Sequence, residues 1–103
     1  METNTPTIET KTFNRGDGRK ATIEVDPDTR TFKLFGRNFE LELRKSYDEG
    51  REYAILGLGE WADDRDLGTV SHYTGGSTAV RFGITCEDAD PYIAAAKLLC
   101  RTI

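Results

Sequence analysis

From residue 21 to residue 44 the chain alternates between apolar and polar positions. Ala21, Ile23 and Val25 alternate with Thr22 and Glu24, Phe32 and Leu34 with Thr31 and Lys33, and Phe39, Leu41 and Leu43 with Glu40, Glu42 and Arg44. A period of two is that of a strand with one buried face. Asp26-Pro27-Asp28-Thr29 carries turn residues and reads as a four-residue loop, and Gly36-Arg37 reads as a two-residue hairpin loop. These loops place Ile23 opposite Phe32 and Ala21 opposite Leu34, then Leu34 opposite Phe39 and Phe32 opposite Leu41. The apolar residues of the three strands then share one face, apart from Phe35 at a hairpin tip. A slip of one residue would bury charge, so this register is well specified.

The flanks extend this meander. Thr7 to Phe13 reads as an edge strand, joined to the meander by the loop Asn14 to Arg19. Glu52 to Leu58, after a polar turn at Ser46 to Gly50, reads as a fifth strand. Thr69 to Tyr73 and Thr78 to Ile84 flank Thr74-Gly75-Gly76-Ser77. A three-residue loop there sets Val70 and His72 opposite Phe82 and Val80. The period then changes. Asp90-Pro91 is a cap followed by proline at the first helical position of a helix expected over 91–102, and Ile93, Ala96, Leu99, Cys100 and Ile103 recur at helical spacing. The expectation is an α+β, mainly β domain over 7–103: about seven antiparallel strands in a curved sheet or small sandwich, closed by one amphipathic helix. Residues 1–6 read as a tail. This order of elements resembles that of pleckstrin-homology-like domains, although none of that family's motifs is present.

Composition narrows the functions. The 103 residues carry a formal net charge of −4, with 31% charged and 37% hydrophobic positions. That balance disfavours diffuse nucleic-acid binding, which needs clustered positive charge, and favours docking on a protein with a basic surface. No apolar run approaches the ~18 residues of a membrane span. The first residues lack a secretory h-region, so the expected compartment is the cytoplasm. Cys86 and Cys100 are expected as reduced, packed thiols, with Cys86 near enough to the helix start for a capping role. A lone histidine, His72, gives no zinc-site spacing. His72 itself reads as a half-buried strand residue with one hydrogen bond, and no cofactor is expected.

Two loops hold the candidate binding residues. Glu60-Trp61-Ala62-Asp63-Asp64-Arg65-Asp66 combines a large apolar anchor with carboxylates. It fits a solvated loop, a docking loop or a cation site, though without the spacing of an EF-hand. Arg15, Arg19 and Lys20 form a small basic tip around Gly16-Asp17-Gly18, which lacks phosphate-loop spacing. Tyr47, Phe35, Tyr73 and Trp61 fall at or near loop tips, where aromatics serve as anchors. The expected partner-binding set is Glu60, Trp61, Asp63, Asp64, Asp66, Arg15, Arg19 and Lys20. The expected function is a small non-enzymatic protein-binding module, an inhibitor or modulator of a larger complex with the character of phage accessory proteins. The alternatives are a nucleic-acid or ligand-binding β-domain using Arg15, Arg19, Lys20, Arg44 and Lys45, and a small metal-dependent enzyme.

Overall fold

The computed structural model describes residues 8–15, 18–59 and 67–102. They form one antiparallel sheet of eight strands in sequential order, curled into a half-barrel, with a single helix. The strands are β1 (Glu9–Asn14), β2 (Lys20–Asp26), β3 (Thr31–Leu34), β4 (Arg37–Ser46), β5 (Gly50–Gly57), β6 (Thr69–Tyr73), β7 (Gly76–Arg81) and β8 (Ile84–Asp88). Helix α1 (Pro91–Thr102) packs against β6, β7 and β8 and also reaches β1 and β2.

The face assignment for β2 to β4 holds. Ala21, Ile23, Val25, Phe32, Leu34, Phe39 and Leu41 are all buried, and Leu43, at 40% exposure, emerges where β4 outruns the core. The pairing, however, differs by two residues in each hairpin. Val25 lies opposite Phe32 and Asp26 opposite Thr31, so the first loop is Pro27 to Arg30. Arg30 takes a left-handed φ of 55°, and its carbonyl accepts a hydrogen bond from Leu41 N (2.9 Å). In the next hairpin Phe32 lies opposite Phe39 and Leu34 opposite Arg37, so the loop is Phe35-Gly36. Both loop residues have positive φ, 52° and 77°, the signature of a type I′ turn. A type I′ turn favours glycine second, whereas Gly36-Arg37 would have placed it first.

Beyond β5 the correction is larger. The β6–β7 loop is the two-residue Thr74-Gly75, which sets His72 opposite Ser77 and Val70 opposite Ala79. The change is odd in number, so β7 turns over: Ser77 and Ala79 are buried, while Val80 is 42% exposed. The expected strand Thr78 to Ile84 is broken at Phe82-Gly83 by a second type I′ turn, with φ of 52° and 76°. Eight strands result instead of seven.

The helix begins as the sequence indicates. Asp90 Oδ1 accepts hydrogen bonds from the amides of Tyr92 (2.8 Å) and Ile93 (3.4 Å). Its buried face is broader than the expected stripe, with Ala94, Ala95, Ala96, Leu98 and Leu99 inside and Ile93 and Cys100 at the margin. Ile103 lies outside the described residues. Small residues meet small residues here: Ala79 of β7 and the three alanines of α1 all have no exposed surface. Lys11 of β1 bonds Asp90, and Lys97 of α1 bonds Asp88, which ties the helix to both open edges of the sheet.

Candidate functional site

In a meander the connections alternate between the two ends of the sheet. The β1–β2, β3–β4, β5–β6 and β7–β8 loops therefore share one end, and the β2–β3, β4–β5 and β6–β7 loops and the helix entry share the other. The first end collects Arg15, Arg19 and Lys20 together with the two Phe-Gly turns.

At that end two phenylalanines project from hairpin tips. Phe35 is 53% exposed and Phe82 79% exposed, the highest value among the exposed large apolar side chains. Each is held in the left-handed region that a residue with a Cβ normally avoids, at a cost of roughly 1–2 kcal/mol. Each also stacks beneath an arginine. Arg15 lies 5.1 Å from the Phe35 ring centroid and Arg81 lies 4.4 Å from that of Phe82. Arg15 is fixed from the other side by its own hairpin, its amide donating to the Arg19 carbonyl at 2.9 Å. It also lines a shallow cleft of about 230 Å³ with Cys86, Lys97 and Arg101, between the edge strands β1 and β8.

The sequence-predicted residues divide accordingly. Arg15, Arg19 and Lys20 lie at the Phe-Gly end, as does Phe35. Arg44 and Lys45 lie far along β4, at the opposite end, so they do not extend that basic tip. Glu60, Trp61, Asp63, Asp64 and Asp66 lie outside the described residues. The described flanks of that segment are anchored at the Phe-Gly end: Leu58 N donates to Asn38 O (3.0 Å) and Leu67 N to Ile55 O (2.9 Å). Phe82 was missed, because within Val80-Arg81-Phe82-Gly83-Ile84 the alternation of a strand continues through the turn. The signal available was the repeat of Phe-Gly beside an arginine, Phe35-Gly36-Arg37 and Arg81-Phe82-Gly83.

The groups with catalytic potential are placed as structural parts. His72 Nδ1 and Ser77 Oγ are 2.6 Å apart, a cross-strand hydrogen bond on the inner face. Ser77 is only 3% exposed, so its hydroxyl fills a hydrogen-bonding need in the core and is closed to a substrate. Cys86 and Cys100 are free thiols. Cys86 is buried in the hydrophobic core beneath α1, on β8, rather than at a cap. Among the described residues no group of three or more His, Cys, Asp or Glu side chains has a metal-binding arrangement. No described helix is long and apolar enough to cross a membrane. Comparison of the chain with protein-family models, with curated proteins and with solved structures finds no match.

Proposed function

We propose that this chain is a non-enzymatic protein-binding module that modulates a larger assembly, and that it docks through the end of the half-barrel bearing the two Phe-Gly turns. One observation carries the reading: Phe35 and Phe82 are both held in water at left-handed φ, each with an arginine against its ring. Residues buried in the core contribute to folding, whereas these two add backbone strain and little burial. Aromatic side chains and arginine are the residue types that dominate binding energy at protein interfaces. The arginine restricts each ring before contact, which lowers the ordering entropy lost on binding.

The test is affinity capture from the native host with wild type, Phe35→Ser, Phe82→Ser and the double variant. Retention of a protein by wild type and its loss from the double variant, at unchanged urea midpoint, supports the docking end. Equal retention by the double variant would remove it.

A second reading has its own observation. Arg15, Arg19, Lys20 and Arg81 share this end with the two rings, a combination that also suits single-stranded nucleic acid through base stacking and phosphate contact. Fluorescence anisotropy with a labelled oligonucleotide separates the two. Nucleic-acid binding weakens steeply with salt and loses slope when Arg15 or Arg19 becomes glutamine.

A further inference from the structure

At the opposite end of the sheet, the β4–β5 turn and the adjoining ends of β5 and β6 set Tyr47, Gly50 and Tyr73 in one row. Tyr47 and Gly50 exchange backbone hydrogen bonds across the β4–β5 turn, N to O 2.7 Å one way and 3.4 Å the other. Gly50 is in turn the direct partner of Tyr73 across β5 and β6. Glycine in the middle has a visible consequence. A Cβ at Gly50 would lie 2.3 Å from Tyr73 Cδ1, so the tyrosine ring rests on the bare backbone of Gly50. Both rings remain in water, Tyr47 at 47% and Tyr73 at 44% exposure.

The turn between them supplies Asp48 and Glu49. Together Tyr47, Asp48, Glu49 and Tyr73 line a notch of about 580 Å³. Neither carboxylate makes an ion pair or hydrogen bond with any described residue. Arg51 and His72 line the adjoining cavity of about 390 Å³, which shares these four residues. Arg51 lines that cavity and is not part of the notch lining.

From this arrangement we infer that the Tyr47–Tyr73 notch receives a cationic side chain, lysine or arginine, carried by a protein partner. Aromatic faces carry negative quadrupole potential, and two unpaired carboxylates add formal negative charge beside them. An anion or a neutral aliphatic group gains nothing from that combination. The glycine seat also fixes one of the two rings before any ligand arrives. This site is separate from the Phe-Gly end and does not depend on the docking role proposed there.

The experiment is an NMR titration of the whole chain with N-acetyl-lysine methylamide, N-acetyl-arginine methylamide and, as neutral isostere, N-acetyl-norleucine methylamide. The expected result is a saturable shift of the Tyr47 and Tyr73 ring resonances with a cationic probe and none with the neutral one. Asp48→Asn with Glu49→Gln should weaken the cationic probe about fivefold or more, and Tyr73→Leu should abolish saturation. The two carboxylates project from an exposed turn, so that pair of substitutions leaves the ladder intact. Equal shifts from the cationic and neutral probes in the wild-type protein, or only a linear response to both cations, would overturn the assignment.

Discussion

The half-barrel has two halves built on opposite principles. In β2 to β4 the inner face is filled by large side chains, Ile23, Val25, Phe32, Leu34, Phe39 and Leu41, and Phe32 and Phe39 stack at 5.5 Å between ring centroids. In β6 to β8 the inner face is Val70, His72, Ser77, Ala79, Arg81, Ile84, Cys86 and Asp88, and its buried part (Val70, Ser77, Ala79 and Cys86) is of smaller side chains, because the helix lies directly upon it. One half supplies its own bulk and the other leaves room for α1. The lesson is that the size of inward side chains records how closely the next layer approaches, and hydrophobicity alone does not.

Opposite substitutions should therefore damage the two halves. Phe32→Ala empties a fully enclosed position and should destabilise the protein by ~3–5 kcal/mol. That is a large share of the stability of a domain of this size. A urea midpoint within error of wild type would mean that the large-residue half does not carry the fold. In the helix-covered half the damaging change is enlargement. Ala79→Leu forces α1 away from β7 and should cost ~1–3 kcal/mol by overpacking. The same leucine placed at the exposed position Val80 should leave stability nearly unchanged, and equal loss at both positions would contradict the turned-over register of β7.

The contrast also explains what the sequence could disclose. In β2 to β4, apart from Arg37 beside the hairpin turn, every inward residue within the core is apolar and every outward one polar, so the period of two determines the face. It cannot determine the pairing, since a shift of two residues keeps every side chain on its own side. Only turn chemistry separates those registers, and it resided in left-handed Arg30 and in a type I′ turn with a phenylalanine first. In β7 the pattern itself misleads, with Val80 outside and Ser77 inside. Ser77 tolerates burial because His72 bonds it, a partner that only the correct register brings within reach. The helix start was legible, since Asp90 and Pro91 act locally. Of the candidate site, Arg15, Arg19, Lys20 and Phe35 were readable as loop residues, whereas their convergence with Phe82 on one end required the strand count.

The two Phe-Gly tips sharpen the comparison at lower energy. Asparagine tolerates left-handed φ better than phenylalanine, so Phe82→Asn relieves roughly 1–2 kcal/mol of backbone strain. It also removes the stack with Arg81, worth about 0.5–1 kcal/mol at an exposed site. Stability should stay level or rise by less than ~1 kcal/mol, while partner capture falls. A clear destabilisation would mean that Phe82 serves the fold, and the docking role would lose its main support.

The smallest effect concerns the contacts that join the halves through α1. Lys11 of β1 bonds Asp90 at the helix cap, and this hydrogen bond raises the lysine above its ordinary value of 10.5. Tyr92, in the first turn of the helix, meets Phe32 edge-on with 6.1 Å between ring centroids. Burial raises its phenol above the ordinary 10.0. Both groups hold their proton more tightly folded than unfolded, Lys11 because its charge is paired and Tyr92 because its charge would be desolvated. Their contribution is complete below the unfolded values and is lost as pH climbs through the raised folded ones, so stability should decline above about pH 10. Urea midpoints measured across that alkaline range should fall for wild type, and less steeply for Lys11→Met combined with Tyr92→Phe. A wild-type midpoint that holds constant or rises over the range would show that neither proton is bound more tightly in the folded state. The helix would then be held to the large-residue half by packing alone.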